Sequence, residues 1–190
     1  MSGADEHDLY TVEEYLALEA QSDSKNEYLA GVIYAMAGAS NRHNRISMNS
    51  YIALGNELAG KPCQPFNSDT KVRIQTPTQT RFYYPDAMIV CRPNDENDTF
   101  QDSPVVIIEV LSSNTRRTDE GEKKESYLTI PSLSHYLLVE PDEPLVTVHA
   151  RVDQGFERTV VSGLDAVIPF PAAEAELALD QLYRGIEFQS

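Results

Sequence analysis

The segment Pro104-Val-Val-Ile-Ile-Glu-Val-Leu111 constrains this chain more than any other. Apolar residues that follow one another without alternation specify a strand covered on both faces, because a strand with one face in water alternates. Such a strand requires layers of helix or sheet on either side. It also contains Glu109, and a lone carboxylate in an apolar run is costly to ionise unless a cation pairs with it. A second apolar strand, over 83–91, carries Asp86 at its mouth, directly after Pro85. If the two strands are neighbours, the carboxylates converge on one point, and Mg²⁺ is commonly held by one or two carboxylates with waters and a phosphate. The residues alone leave two readings open. One is a divalent-cation site; the other has Asp86 capping a turn and Glu109 paired with a buried Arg or Lys.

Caps and breakers mark most of the other elements. Residues 1–9 read as a frayed tail. Thr11-Val-Glu-Glu14 is a capping box that opens an amphipathic helix over 11–20. The segment from Glu27 to Met36 holds two apolar runs pivoting on Gly31, a β-hairpin pattern. Over 41–59, Met48, Tyr51, Ile52, Gly55, Leu58 and Ala59 recur at helical spacing, and Gly60 and Pro62 end the helix. Strands are predicted over 63–67, 69–75, 83–91 and 104–111, with 92–103 a polar loop. A helix over 119–129, strands over 134–140, 144–150 and 156–162, and a last helix ending at Gly185 complete the order. That order specifies an α/β or α+β chain with a mixed sheet. Its 190 residues suit one domain.

Fifteen Lys and Arg against thirty Asp and Glu leave a net charge of −15, which repels nucleic acid at long range. Binding a polyanion therefore requires a local basic patch or a metal-filled site. The opening MSGADEHDLY is polar and acidic, unlike a signal peptide. No apolar run approaches the ~20 residues of a membrane span, so a cytoplasmic protein with no membrane association is expected. Cys63 and Cys91 lack CxxC spacing or a local His pair, and read as two free thiols in a reducing compartment.

Other residues carry chemistry only conditionally. Asp119, Lys123 and Tyr127 fall at i, i+4 and i+8 along one helix face. They are either a solvated Asp–Lys pair or a lysine aimed at a phosphate or an attacking water. His43 lies among Asn41, Arg42, Asn44 and Arg45, the one locally basic stretch, as a site histidine or an exposed helix-start residue. Glu27 and Asp69 are surface charges or further members of the acidic cluster. The hydroxyls and arginines of 112–118 suit phosphate contacts and an ordinary loop equally. No GxSxG, P-loop or GxGxxG motif is present, so hydrolase-elbow and nucleotide-cradle chemistry have no support.

Taken in order, Pro85-Asp86, Ile108-Glu109-Val-Leu-Ser112, Thr115-Arg-Arg-Thr-Asp119, Lys123, Tyr127 and Tyr136-Leu-Leu-Val-Glu-Pro141 resemble the PD-(D/E)XK nuclease superfamily. Within it they are most similar to the bacterial restriction-endonuclease-like branch called Uma-two. Glu27-Tyr-Leu-Ala-Gly-Val-Ile-Tyr34 and His43 look like the same branch. The resemblance implies one restriction-endonuclease-like domain over 10–190, a mixed sheet flanked by helices. It implies Asp86 and Glu109 on adjacent strands binding Mg²⁺ or Mn²⁺, with the Val110 carbonyl as a further ligand and Glu27, His43 and Asp69 as a supporting shell. The implied reaction is hydrolysis of DNA phosphodiester bonds, and the implied assembly is a homodimer cutting both strands.

One departure is informative. A (D/E)XK triplet would place lysine at position 111, where Leu111 stands. Positions 109 and 111 share one side of a strand, and the branch resembled draws its lysine from the following helix. That nominates Lys123; Lys124 points about 100° away. Leu137, where relatives carry Trp, is a packing difference. The charge and Leu111 sustain two other expectations: a catalytically inactive interaction or regulatory module, and a hydrolase of smaller phosphorylated substrates.

Overall fold

The computed structural model describes residues 9–188. Residues 1–8 of the expected tail lie outside the described residues. By Tyr10 the chain is already tied down, its N–H donating to the Gly31 carbonyl at 2.9 Å. The capping box forms in both directions: Thr11 N donates to Glu14 Oε2 (2.8 Å) and Glu14 N to Thr11 Oγ1 (3.2 Å), opening α1 (Val12–Glu19). The hairpin of β1 (Asn26–Leu29) and β2 (Val32–Ala35) turns through Ala30 and Gly31, both at positive φ. Then follow α2 (Asn41–Glu57), β3 (Gln64–Asn67), β4 (Lys71–Gln75), β5 (Thr80–Tyr83), β6 (Ala87–Val90), β7 (Phe100–Gln101) and β8 (Pro104–Val110). Two short helices, α3 (Arg116–Asp119) and α4 (Glu122–Tyr127), lead to β9 (His135–Val139), β10 (Leu145–Val152) and β11 (Gly155–Ser162). β12 (Val167–Phe170), β13 (Ala175–Ala178) and α5 (Leu179–Leu182) close the chain.

The result is a mixed α+β fold with sheets flanked by helices. One sheet runs β2-β1-β5-β4-β7, a second runs β11-β10-β9-β8-β6-β3, and β12 and β13 form a small third. β8 sits inside the six-stranded sheet, antiparallel to β6 and parallel to β9. The doubly buried strand read from the sequence is thus an interior strand. Its Val106, Ile108 and Val110 enter the core beneath α2. Its Ile107 and Leu111 enter a second core with Tyr127 of α4 and Val72, Ile74 and Tyr83 of the five-stranded sheet. By strand alternation Glu109 belongs to this second face.

Several sequence expectations are corrected by tertiary pairing. The strand expected over 83–91 is two strands in different sheets. Pro85 has no N–H to donate to a ladder, and the chain passes there from β5 to β6. The loop expected over 92–103 contains β7, which pairs in parallel with β4. The helix expected over 119–129 is broken between α3 and α4 at Gly121, where a Cβ would lie 2.7 Å from the Arg117 carbonyl oxygen. Leu177 belongs to a strand, leaving only a short α5 before Gly185.

The helical spacing in α2 locates the helix but not its inner side: Ile46, Ser50, Ala53 and Leu54 are buried, while Met48, Tyr51 and Ile52 are exposed. The two cysteines are not free thiols. They form a Cys63–Cys91 disulfide, because antiparallel pairing of Gln64 with Val90 sets the residues just beyond the two strands opposite one another. Spacing along the chain carries no trace of that pairing.

Where β4 meets β7, Arg73 grips Asp102 with two hydrogen bonds of 2.7 Å and lies over the Phe100 ring at 4.2 Å. Burial raises the Asp102 carboxyl, but Arg73 and Asn94 outweigh it and hold the pKa below the usual value. A depressed carboxylate stabilises the fold above its unfolded pKa, ~3.9, and that contribution is lost as pH falls through the folded value. The pair is partly exposed and screened, so Asp102→Ala is expected to cost about 1 kcal/mol at pH 7. Urea denaturation should show the difference from wild type shrinking as pH falls below the unfolded value, ~3.9; an undiminished gap there would refute the assignment.

Candidate active site

Register brings the two carboxylates together. Ala87 pairs with Ile108 across β6 and β8, so Asp86, one residue before β6, lies beside Glu109. Asp86 Oδ2 accepts a hydrogen bond from the Val110 N–H at 2.7 Å, and Ser47 of α2 donates to the Asp86 carbonyl at 3.2 Å. His43 enters from the first turn of α2, which Ser40 caps, and its Nε2 lies 3.3 Å from Asp86 Oδ2. Burial lowers the His43 pKa, but Asp86 outweighs it and leaves the imidazole above its ordinary value. Its Nδ1 is buried with no hydrogen-bond partner.

Glu109 is 4% exposed. The Tyr127 hydroxyl donates to its Oε1 at 3.0 Å, and Lys123 Nζ stands 3.5 Å away. Tyr127 is itself wedged between Tyr83 and Tyr136, each with ring centroids 5.4 Å from its own. Lys123 Nζ lies 2.8 Å from Glu27, which reaches in from β1, and 3.7 Å from Asp119 Oδ1 at the end of α3. The break at Gly121 does not separate the predicted i, i+4, i+8 face: Asp119, Lys123 and Tyr127 still converge. Lys124 is on another side and contributes its charge near His149.

The electrostatics follow from crowding. Burial drives the Glu109 carboxyl well above the usual range, Lys123 pulls it back, and Asp119, Asp86 and Glu27 push it further up. Burial likewise raises Asp119. Burial alone would lower the Lys123 ammonium, yet Glu109, Glu27 and Asp119 together hold its pKa above that of a free lysine. Asp119 Oδ1 is buried with no hydrogen-bond partner. Three carboxylates around one lysine leave a deficit of positive charge, and an all-oxygen donor set is the kind Mg²⁺ or Mn²⁺ takes. As they stand, no three His, Cys, Asp or Glu side chains among the described residues are arranged to hold one metal ion. Asp86 and Glu109 supply two carboxylates, the number with which Mg²⁺ is commonly held alongside water and phosphate.

Asp86, Glu109, Asp119 and Lys123 line a cleft of about 560 Å³. Lys25, Arg42 and Tyr84 also line it. Asp69 stands outside this group, largely exposed and paired with Lys25 at 2.6 Å. Arg116 turns away to form a bidentate pair with Glu140. The sequence displayed Asp119 and Tyr127 beside Lys123 at helical spacing, but nothing local indicates that their polar groups are buried against Glu109. That depends on α3 and α4 packing on β8.

The profile of the Uma2 family, described as "Putative restriction endonuclease", matches residues 12–181. The chain belongs to the Uma2 family. Two Synechocystis proteins are related along nearly their whole lengths: uncharacterized protein slr1290, 34% identical over 93% of this chain and 92% of its own, and uncharacterized protein sll1609, 32% identical over 85% and 93%. A crystallised "putative nuclease belonging to DUF820" from Anabaena variabilis shares the fold, with a TM-score of 0.72, 21% identity, and coverage of 92% of this chain and 97% of that one. Membership in the Uma2 family and a nuclease-like fold are thus established together. Among the described residues, no helix is long and apolar enough to cross a membrane.

Proposed function

We propose that this Uma2 protein is a metal-dependent endonuclease hydrolysing DNA phosphodiester bonds, with Asp86 and Glu109 holding Mg²⁺ or Mn²⁺ and Lys123 assisting. The observation that carries this reading is the pairing of Asp86 beside Glu109 across β6 and β8, with a buried lysine 3.5 Å from Glu109 in the same cleft. When bound, the ion supplies Lewis-acid activation of water and charge neutralisation at the phosphate.

The chain's own groups do the rest. The Val110 N–H and His43 fix the Asp86 carboxylate, and Tyr127 fixes Glu109, so both present their oxygens without rotamer freedom. Lys123 stays protonated and offers a positive charge where negative charge develops on the phosphate. Glu27 restrains that lysine, and His43 limits the motion of Asp86. On this reading one nuclease domain spans 10–190, acts in the cytoplasm, and cuts both strands of DNA as a homodimer.

Asp86→Ala is expected to reduce Mg²⁺- or Mn²⁺-dependent nicking of supercoiled plasmid by about 10³-fold, the size of a lost ligand to a Lewis-acid centre. Cleavage by the variant at the wild-type rate would sink the assignment. A second reading, an inactive interaction or regulatory module, draws on one observation. The cleft's flanking cations are already engaged, Lys25 with Asp69 and Arg42 with the Pro141 and Glu187 carbonyls, and the chain carries −15. A wild-type protein that folds, binds no Mn²⁺ and nicks no plasmid would favour the module.

A further inference from the structure

The chain from 28 to 41 holds no Asp, Glu, Lys or Arg, in a protein of which 24% is charged. The part that follows the turn at Gly31 is nonetheless largely open to solvent. Val32 is 39% and Tyr34 51% exposed, and Ala35 and residues 37–40 are exposed as well. A Cβ at Gly38 would meet nothing within 4 Å. The register of the first hairpin fixes which way this surface faces. Glu27 pairs with Tyr34 and Leu29 with Val32, and opposed residues of an antiparallel pair share one face, their Cβ atoms about 4.5–5.5 Å apart. Glu27, on that face, holds Lys123 at 2.8 Å. Tyr34 is therefore the lateral neighbour of the residue that seats the lysine. Further along the chain, residues 36–40 line the cleft that contains Asp86 and Glu109. An open, uncharged shelf bearing the Tyr34 ring thus runs from the edge strand β2 into the cleft. Contiguous apolar surface of this kind marks a contact for a ligand or partner.

We propose that Tyr34, with Val32 beside it and 36–40 beyond, receives a nucleobase next to the scissile phosphate, so that the cleft takes DNA whose bases are unpaired at the cut. The inference rests on the nuclease reading and names the substrate class of that site. Phosphates require cations, and the shelf has none. The face of a base stacks on an aromatic ring whatever its sequence, which is what Tyr34 offers. In a duplex both faces of a base are covered by its neighbours, so a base reaches Tyr34 only after leaving the stack. The net charge of −15 points the same way. A duplex carries one negative charge per ~1.7 Å of axis, against ~3.4 Å for one of its strands, so an acidic protein repels the duplex more strongly. Stacking is not ionic, and supplies affinity that electrostatics withholds. A closed duplex is then a substrate only where its strands come apart, which negative supercoiling favours.

The test is fluorescence anisotropy with a labelled single strand of about 12 nucleotides, with Ca²⁺ as the cation. Tyr34→Ala is expected to bind about tenfold more weakly than wild type, and Tyr34→Phe, which keeps the ring, to bind as wild type does. Circular dichroism checks that both variants fold. Wild type should prefer the single strand to a blunt duplex of the same sequence, and Tyr34→Ala should lose most of that preference. On a strand made of abasic positions the two proteins should bind alike. Equal affinity of wild type and Tyr34→Ala for the intact strand overturns the proposal. So does an equal loss in Tyr34→Phe, or wild-type binding to duplex at least as tight as to the single strand. A Tyr34→Ala protein changed in oligomeric state by light scattering, but not in affinity, would assign the face to a second copy and overturn it too. The nuclease reading survives each of these results if wild type nicks plasmid with Mn²⁺. A wild type that neither binds the strand nor nicks plasmid overturns both.

Discussion

Glu109→Gln is expected to abolish metal-dependent cleavage while leaving the protein as stable as wild type or more so. The two halves have one cause. Glu109 is buried among Asp86, Asp119 and Glu27, with Lys123 as the nearby cation, and its carboxyl is driven well above the usual range. Holding that charge in place opposes folding, so neutralising it removes a cost. The amide keeps an oxygen to accept the Tyr127 hydroxyl, bonded at 3.0 Å in the wild type. Lys123 retains Glu27 at 2.8 Å. A melting temperature unchanged or raised by about 2–5 °C is therefore expected, alongside a loss of about 10³-fold in plasmid nicking. A site that opposes stability and supports activity is the expected trade where function requires crowded like charges. A variant that melted well below wild type would show Glu109 to be a structural ion-pair partner, and the site assignment would fall with it.

Lys123→Met should do the reverse to the fold when metal is chelated. Deleting one partner of a buried ion pair strands the other charge, at a cost of about 3–5 kcal/mol. Here Glu27, Glu109 and Asp119 lose their nearest cation together, with the lysine side chain only 7% exposed. For a chain of 190 residues that corresponds to a melting temperature lower by about 10 °C. Differential scanning calorimetry in EDTA measures it. Mn²⁺ at saturating concentration should return most of the loss, since a ligand that binds only the folded state stabilises it by mass action. A loss of under about 2 °C in EDTA would mean that the carboxylates are held by something other than Lys123.

Much of this is legible in the sequence. The capping box at Thr11 formed in both directions because caps are local, satisfying backbone donors within one turn. The run 104–111 became an interior strand because an unalternating apolar segment has no face to give to water. Leu111 fills the same apolar face as Ile107 and Tyr127. Other elements were not legible, for one recurring reason. β7 spans only Phe100–Gln101 and exists because β4 lies beside it. Residues 83–91 look continuous until two sheets claim its two halves. The inner side of α2 is chosen by the sheet beneath it, so Met48, Tyr51 and Ile52 keep helical spacing yet face outward.

The carboxylate pair shows the same division. The sequence by itself determined that Glu109 sits in a doubly buried strand and needs a cation, since apolar neighbours and desolvation are local facts. It also determined, by helical spacing, that Asp119, Lys123 and Tyr127 travel together. Only the tertiary structure decided which residue answers Glu109. The register that sets Ala87 against Ile108 carries Asp86 to its side. The packing of α3 and α4 on β8 brings Lys123, while β1 of the other sheet brings Glu27. The same pairing of distant strands joined Cys63 to Cys91 and left Asp69 outside with Lys25. Coulomb energy falls off with separation in space, and separation in space between residues far apart in the chain is set by the pairing and packing of the elements that carry them.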